Sequence, residues 1–244
     1  MLIACISDVH GNLPALEAAL EDAAKRGADT VLCAGDITGY GPFPVEVCRL
    51  LEERRIPTII GNYDRKVLAV AGGDTSRLTK MKKKKRQILE WTAGRLGKKE
   101  KKYLKSLPGE MPVSLPGGRE LLLVHGSTRS DEGVVYPSAT RRTLEALFDG
   151  ARPDVLVAGH THIPFARKID GVLVVNCGSA GQPVDGDPRG AYALVYSGNE
   201  APPRARIVRF DYDVERTIDG YGGTGLPKGL RADLLNGNKQ RYVP

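Results

Sequence analysis

The stretch that decides the fold is residues 2–12, Leu-Ile-Ala-Cys-Ile-Ser-Asp-Val-His-Gly-Asn. Its first six residues form a nearly continuous apolar run, which is typical of a strand that is buried on both faces. The run ends abruptly in Asp8 and His10, followed by glycine. We therefore expect a central strand that delivers polar side chains at its carboxyl end.

The residues after this strand continue in alternation. A helix is predicted from about Asn12, because Pro14 fits the first turn of a helix, where its missing N–H has no bond to lose. A second strand at 30–34, a helix near 43–54 and a short strand at 58–60 follow. This order of strand, helix and strand predicts parallel βαβ units.

The rest of the chain is organised differently. Residues 78–107 have a helical pattern crowded with lysine, and a further helix is predicted near 138–149. Short runs rich in β-branched residues predict strands at 121–124, 155–158, 172–176, 191–196 and 205–210. The glycine-rich residues 220–225 are interpreted as a mobile turn. We expect one α/β domain over residues 1–244, with two mixed sheets packed together and helices outside.

The composition agrees with this interpretation. The chain has 244 residues, of which 41% are hydrophobic and 27% charged, as in an ordinary globular protein, which argues against disordered and collagen-like chains. No apolar run reaches the 18 or so residues of a membrane span, and the N-terminus lacks the pattern of a signal peptide. The 4 cysteines form no CxxC pair, so we expect small buried thiols and a cytoplasmic location.

Several predicted strands end in Asp, Asn or His beside glycine. The motifs are Ser7 to Asn12, Gly35 to Gly41, Gly61 to Asp64, His125-Gly126 and Gly159 to His162. Binding sites of open α/β sheets lie outside the carboxyl ends of the strands, and glycine lets the backbone turn sharply there. We therefore expect these five motifs to meet in one site.

The histidines indicate the chemistry of that site. All 4 histidines of the chain fall in these motifs, at His10, His125, His160 and His162. With two Asp and one Asn they form a nitrogen and oxygen set that suits Mn, Fe, Zn, Ni or Co better than Ca. Seven ligands are too many for one tetrahedral ion and suit two ions that share a carboxylate.

The five motifs, in this order, resemble the blocks DxH, GDxxGYG, GNxD, HG and GHTH of the calcineurin-like metallophosphoesterase superfamily, specifically its compact YfcE-like branch. The resemblance extends through Asn176 to Ser179 and Asp185 to Arg189. It implies a four-layer α/β/β/α sandwich. It also implies a site with two divalent transition-metal ions, Mn first, with Ni, Fe, Co, Zn and Mg as alternatives.

The same resemblance assigns the ligands. One metal would be held by Asp8, His10, Asp36 and His162, and the other by Asp36, Asn62, His125 and His160. A hydroxide that bridges the metals would attack phosphorus in line, and Asp36, Asn62 and His125 are the expected catalytic residues. Asn12 and Asp64 are candidates for orienting the ligands, and Tyr40, Ser179 and Arg189 for contacting substrate.

The sequence departs from the family at Tyr63. Many relatives carry His at this position of the GNxD block, where it is thought to protonate the leaving group. A phenol, with an ordinary pKa near 10, cannot act as an imidazolium. We therefore expect turnover to depend on the metals and to favour good leaving groups.

The charge of the chain is concentrated in one segment. Residues 77–105 carry 13 Lys or Arg and 2 acidic residues, a net charge of +11, which leaves −4 for the remainder of a chain of net charge +7. Because no aromatic residues interleave with the lysines to stack bases, a solvated helical lobe is favoured over a nucleic-acid surface. We interpret residues 77–107 as a Lys-rich helical insertion, with Trp91 and Tyr103 as core anchors.

The predicted function is hydrolysis of a phosphoester by two metals, with a phosphodiester as the expected small substrate. The alternatives are a nuclease or nucleotide phosphatase of the same fold and a non-catalytic scaffold protein. A membrane partner is not expected, and the oligomeric state is left open, with a homo-oligomer as one option.

Overall fold

The first strand, β1 (Leu2–Ile6), serves two cores at once. In a computed structural model of the chain, Ile3 and Cys5 point to one side and pack between two sheets. Ala4 and Ile6 point to the opposite side and pack against helices. Successive side chains of a strand lie on opposite faces, so a strand in the middle of a layered structure is apolar throughout.

The structure describes residues 1–74, 76, 78–148, 150 and 152–237. The strands in this part of the chain are β1, β2 (Thr30–Cys33), β3 (Glu110–Leu115), β4 (Arg119–Val124), β5 (Val155–Ala158), β6 (Phe165–Ile169), β7 (Val172–Asn176), β8 (Gly190–Tyr196) and β9 (Arg204–Phe210). The α-helices are α1 (Leu13–Lys25), α2 (Pro44–Glu53), α3 (Asn62–Ala71), α4 (Lys83–Arg95), α5 (Lys98–Ser106), α6 (Arg141–Leu147), α7 (Val214–Gly220) and α8 (Gly229–Leu235). One 3₁₀ turn spans Leu78–Lys80.

The strands form two mixed sheets. The first has the order β2-β1-β8-β9, with β1 parallel to β2 and antiparallel to β8. The second has the order β3-β4-β5-β7-β6, in which β4, β5 and β7 run parallel. The parallel strands explain why several polar motifs reach the same edge of each sheet.

The second sheet repeats the two-sided packing of the first. In β5, Val155 and Val157 pack between the sheets, whereas Leu156 and Ala158 pack outward beside α6. The layers are therefore helices, sheet, sheet and helix, which confirms the predicted four-layer α/β/β/α fold.

The helical segment is confirmed in part. Residues 78–107, which were expected to be helical, form a 3₁₀ turn and two α-helices, and the two helices are separated because the chain is extended at Leu96 and Gly97. Trp91 and Tyr103 pack against cores as expected. Arg77 and the side chain of Lys80 lie outside the described part of the chain, and the description of this segment as an insertion stays a prediction.

Other element predictions were incomplete or wrong. The expected strand at 58–60 is only a bridge between Thr58 and Cys33. Strand β6 and the helices α3, α7 and α8 were not predicted. The glycine-rich residues 220–225 are followed by the helix α8. Leu230 and Leu234 of α8 pack beside Ile88 of α4.

The thiols behave as expected. All 4 cysteines, Cys5, Cys33, Cys48 and Cys177, are free and buried. Burial raises the pKa of each, to about 12 for Cys5, so they are packing groups and not nucleophiles. Among the described helices, none has the length and apolar character needed to cross a membrane.

Candidate metal centre

The predicted ligands meet where the strands of both sheets end. Asp8 and His10 follow β1, Asp36 follows β2, His125 follows β4, His160 and His162 follow β5, and Asn62 opens α3. Because β1 and β2 run parallel in one sheet and β4 and β5 in the other, their carboxyl ends bring these residues to one rim. Five separate stretches of chain therefore contribute to one cluster.

The backbone at these residues is unusual. Asp8, His10, Asp36, His160 and His162 all have left-handed conformations, with φ between 51° and 65°. Such a conformation costs non-glycine residues roughly 1–2 kcal/mol each and persists only where the surroundings enforce it. Hydrogen bonds from the Asp8 amide to Gly35 (3.0 Å) and from the His10 amide to Asp36 (2.9 Å) fix the turns.

Two glycines make room for the carboxylates. A Cβ atom on Gly61 would lie 2.2 Å from Oδ1 of Asp36, and one on Gly159 would lie 2.5 Å from Oδ2 of Asp8. Any side chain at these positions would displace a carboxylate. Glycine is needed at Gly61 and Gly159 because a carboxylate lies too close to the backbone for any side chain to fit. Neither glycine has a left-handed φ angle.

The side chains form two groups of candidate metal ligands. One contains Asp8, His10 and His162, and the other Asp36, His125 and His160, with the ligand atoms of each group within 4.8 Å of one another. In the first group, Nε2 of His162 lies 3.2 Å from Oδ1 of Asp8 and 3.1 Å from Nε2 of His10. In the second, Nε2 of His125 lies 3.4 Å from Oδ2 of Asp36.

Asp36 lies between the two groups. Its Oδ2 is 3.4 Å from Nε2 of His125 in one group and 3.7 Å from Nε2 of His10 in the other. Its Oδ1 is held separately, because it accepts a hydrogen bond of 2.7 Å from the amide of Tyr63. One oxygen of Asp36 is thus fixed in place while the other faces both groups.

Three of the histidines are oriented by backbone carbonyls. Nδ1 donates to the carbonyl of Thr38 in His10 (3.1 Å), of Ala34 in His125 (2.8 Å) and of Gln182 in His162 (2.6 Å). A donor at Nδ1 leaves the lone pair at Nε2, which is the arrangement of histidines that bind metal ions.

The polar atoms of the cluster fit a metal. Oδ1 of Asp8, Oδ1 of Asn62 and Nε2 of His125 are buried and have no hydrogen-bond partner. Buried polar atoms in native proteins are almost always partnered, so three unpartnered atoms in this cluster are suited to binding an ion. A set of imidazole nitrogens and carboxylate oxygens matches divalent transition metals. Asn62 lines the same cavity as His10, Asp36, His160 and His162.

The pKa values of the clustered side chains also fit a metal site. Burial lowers the pKa of His125, but the carboxylate of Asp36 more than compensates and raises it to about 10. Burial raises the pKa of Asp8, yet His162, His125 and His10 together hold it below its usual range. Because the buried carboxylates stay ionised, the centre attracts positive charge, which a bound metal ion can supply.

Tyr63, the residue at which the sequence departs from the family, lines the same cavity as His10 and Asp36. The hydroxyls of Tyr63 and Tyr40 are hydrogen-bonded to each other, and both rings pack edge-on against His10. Burial raises the pKa of Tyr40 to about 12, and that of Tyr63 is raised as well. Tyr63 is therefore a hydrogen-bonding group at the rim and a weak acid.

The two candidates for orienting the ligands act indirectly. Asp64 accepts hydrogen bonds from the amide and hydroxyl of Thr38, at 2.9 and 2.7 Å, and so positions the carbonyl that orients His10. Asn12 caps α1 and donates to the carbonyl of Gly181, next to the Gln182 carbonyl that orients His162.

Ser179 and Arg189, which were predicted to contact substrate, form hydrogen bonds or ion pairs within the protein. Ser179 is buried and donates to the carbonyl of Asp8 at 2.7 Å. Arg189 is exposed, pairs with Asp187 at 2.8 Å and does not line the cavity over the centre. Asn176, whose role was not predicted, donates to the carbonyl of Gly159 and to the hydroxyl of Thr161, and so holds the loop with His160 and His162.

A cavity of about 530 Å³ opens over the two ligand groups. Its walls include Tyr40, Tyr63, Lys66 and Gln182, and also Lys82, Lys84, Lys85 and Ile88 from the start of the Lys-rich segment. Most of the described lysines of this segment are exposed, as expected for a solvated lobe, but the segment is not separate from the site, because α4 packs between α3 and α8 and its first residues line the cavity. The three-residue spacing of Lys82, Lys85 and Ile88 was the available signal, since it places them on one helical face.

Comparison with known proteins agrees with the geometry. The sequence profile of the calcineurin-like phosphoesterase superfamily domain matches residues 1–200. The chain is 29% identical to the uncharacterized protein MJ0912 of Methanocaldococcus jannaschii, over 97% of this chain and 98% of that one. It is also 29% identical to phosphodiesterase YfcE of Escherichia coli, over 75% of this chain and 80% of that one.

A solved structure shows the same architecture. The crystal structure of a metallophosphoesterase from Sphaerobacter thermophilus superposes with a TM-score of 0.78 at 31% identity, covering 97% of this chain and 99% of that one. The profile match spans most of the chain and includes all five motifs of the site. The chain therefore belongs to the calcineurin-like phosphoesterase superfamily, whose members are metal-dependent phosphoester hydrolases.

Proposed function

We propose that the protein is a phosphodiesterase that uses two divalent metal ions. Asp8, His10, Asp36 and His162 would hold one ion, and Asp36, Asn62, His125 and His160 would hold the other. The observation that carries the proposal is the position of Asp36, whose free oxygen faces both groups of ligands at 3.4 and 3.7 Å from their histidine nitrogens.

Bound divalent ions supply Lewis-acid chemistry: they provide a nucleophile from water near neutral pH and offset charge on a phosphoryl group. The chain's own residues determine where that chemistry happens. Asp36 would serve both ions, while Asn62 and His125 would complete the ligands of the second one. The carbonyls of Thr38, Ala34 and Gln182 keep the histidines in one orientation, so the ligands need not reorganise during turnover.

The choice of a phosphodiester is supported by the relative named phosphodiesterase YfcE. Mn is the proposed metal, with Ni, Fe, Co, Zn and Mg as alternatives, because a mixed nitrogen and oxygen set accepts all of them to different extents. Four free, buried thiols support a cytoplasmic location, since cysteines stay reduced there.

The test is reconstitution of metal-free protein with Mn, Ni, Co, Mg or Zn, followed by assay on bis(p-nitrophenyl) phosphate and p-nitrophenyl phosphate. We expect two metal equivalents by elemental analysis and faster hydrolysis of the diester. Asp36→Asn should lower the metal content below that of wild type and reduce kcat/KM by at least about a thousandfold. Asp219→Asn, at an exposed position of α7, is the matched control and should behave as wild type.

Two outcomes would contradict the proposal. Folded protein that binds metal but hydrolyses neither substrate with any of the ions would favour a non-catalytic scaffold. Hydrolysis that survives Asp36→Asn unchanged would place the activity elsewhere in the preparation.

A further inference from the structure

The first turn of α4 brings a cluster of lysines to the cavity over the candidate metal centre. Lys82, Lys84 and Lys85 line the same cavity as His10 and Asp36. Lys66 of α3 lines it as well, beneath the start of α4. Positive side chains thus face a centre at which an anionic substrate is expected.

The lysines differ in whether their charge is already neutralised. Nζ of Lys84 lies 2.6 Å from Oδ2 of Asp233, and Nζ of Lys66 lies 2.8 Å from Oε1 of Glu132. Lys82 and Lys85 are exposed, and within the described ranges no carboxylate forms an ion pair with either of them. They are therefore the cavity lysines whose charge is free for a ligand.

Lys82 and Lys85 lie at the same end of α4. Lys82 is the N-cap residue and Lys85 lies three residues later in the first turn. A second cavity, of about 310 Å³, shares Tyr63, Lys66, Lys82 and Lys85 with the first. The groove over the centre therefore continues past Tyr63, and the two free lysines lie along this continuation.

The helix that carries them is anchored by its contacts with α8. Ile88 of α4 packs with Leu230 and Leu234 of α8, and Lys84 pairs with Asp233 of the same helix. An anchored helix can present its lysines without the further cost of ordering the backbone at the moment of binding. This support explains what α8 contributes to the site.

We propose that Lys82 and Lys85 bind a second phosphate group of the substrate, on the far side of Tyr63 from the phosphoester that is cleaved. The proposal deepens the phosphodiesterase function above and rests on it. Two neighbouring ammonium groups match the double charge of a terminal phosphate, and lysine is a common phosphate ligand. The substrate class is then a small phosphodiester that carries an additional phosphate.

A small substrate fits these positions better than a polynucleotide. Lys98 and Lys99 of α5, two further cations of the segment, do not line the cavity. A polynucleotide would draw on this wider set of charges, because its affinity comes from neutralising many phosphates. A second phosphate close to the scissile bond would interact with Lys82 and Lys85 and not with this wider set.

The test uses two substrates that differ by one phosphate, thymidine 5′-(p-nitrophenyl phosphate) and the same compound with a 3′-phosphate. We expect wild-type protein to prefer the second by about tenfold in kcat/KM, the size of effect given by two exposed charged contacts. The double variant Lys82→Gln, Lys85→Gln should lose this preference, because only the second substrate carries the phosphate that the two lysines bind. The control, Lys98→Gln with Lys99→Gln, removes the same charge from exposed positions of α5 and should keep the preference.

Binding gives a readout that does not depend on turnover. Calorimetry should show tighter binding of thymidine 3′,5′-bisphosphate than of thymidine 5′-monophosphate to wild-type protein, and a loss of this difference in the Lys82, Lys85 variant. If neither ester is hydrolysed but the binding difference is present and sensitive to the variant, the proposed function fails and the phosphate subsite stands.

If the esters are hydrolysed without preference, or if the variant slows both equally, the subsite is overturned and the proposed function stands. Faster cleavage of oligothymidylate, weakened in the Lys98, Lys99 control, would also overturn it, in favour of a polynucleotide bound along the whole segment.

Discussion

At the scale of single residues, Asp36 shows how one side chain can serve two ligand groups. Burial raises its pKa, but His125 and His10 lower it by more, so the carboxyl group stays ionised. One oxygen is held by the amide of Tyr63, and the other is left to face both groups. The left-handed backbone of Asp36 is what aims the side chain in this direction.

Gly61 provides a direct test of this packing. Gly61→Ala would place a Cβ atom 2.2 Å from Oδ1 of Asp36, so the carboxylate must move. We expect loss of metal from the centre and a fall in kcat/KM of about a hundredfold or more, with a destabilisation of about 1–3 kcal/mol. Elemental analysis, kinetics and urea unfolding measure the three effects.

Gly94→Ala is the matched control, because nothing lies within 4 Å of the added methyl group. It should leave activity unchanged and stabilise α4 by about 0.5–1 kcal/mol. Equal metal content and activity in the two variants would show that Asp36 tolerates the close approach.

Tyr63 provides a second test at this scale. Since a phenol is a poor acid near neutral pH, we expect Tyr63→Phe to leave kcat for p-nitrophenyl diesters within about threefold of wild type. The measurement is kcat for a series of esters whose leaving groups differ in pKa. A large loss confined to the poor leaving groups would identify Tyr63 as the acid and refute the hypothesis that the metals alone drive turnover.

At the scale of elements, the site depends on how helices begin. Helix α3 starts at Asn62, directly inside the centre, and α4 starts at the rim of the cavity. The N-terminus of α5 is held by Glu100, which accepts from the amide of Gly97 at 2.9 Å and from Nε of Arg49 in α2 at 3.0 Å. This contact ties the Lys-rich segment to the body of the fold.

Glu100 makes this tie sensitive to pH. Burial raises its pKa, but hydrogen bonds from the backbone and from Arg49 hold it below the ordinary value. A lowered pKa stabilises the folded protein above the ordinary carboxyl pKa of about 4.3, and this stabilisation is lost as the pH falls through the folded value. We expect Glu100→Ala to lower the free energy of unfolding by about 1 kcal/mol at pH 7, and the difference to shrink below about pH 4.

Urea unfolding of both proteins at pH 7 and at about pH 3.5 measures this difference. Glu90→Ala removes an exposed carboxylate that pairs with Arg86, and should change stability by no more than about 0.5 kcal/mol at either pH. A Glu100→Ala effect that is the same at both pH values would show that packing, and not charge, is responsible.

At the scale of the whole molecule, the centre joins the two sheets. Asp8 and Asp36 come from the first sheet, whereas His125, His160 and His162 come from the second. A ligand that bridges these residues binds only the folded protein, because the unfolded chain holds them far apart. Metal binding is therefore linked to global stability.

We expect metal-free protein to unfold at a lower temperature than protein with Mn. At free Mn of about 100 times its Kd the gain is about 2.7 kcal/mol, or roughly 5–10 °C for a chain of this size. Calcium at the same concentration should give a smaller shift, because it prefers oxygen ligands. Scanning calorimetry measures both, and equal shifts with the two ions would contradict the assignment of a nitrogen-rich centre.

Much of the architecture could be predicted from local patterns. The apolar runs of β1, β4 and β5 indicate strands buried on both faces, and this alone leads to stacked layers. The strand predicted at 58–60 failed because only Thr58 pairs with a neighbour there. Strand β6 was missed because its exposed Arg167 and Lys168 hide the apolar signal of an edge strand.

The sequence by itself predicted the candidate ligands, because Asp and His at the ends of parallel strands are placed together by the geometry of any such sheet. Only the tertiary structure decided what surrounds that set. Lys82 and Lys85 reach the cavity because Ile88 packs on Leu230 and Leu234, nearly 150 residues later, and Arg189 is turned away by its pairing with Asp187. Contacts between distant segments depend on packing and charge in three dimensions, which no local pattern of residues specifies.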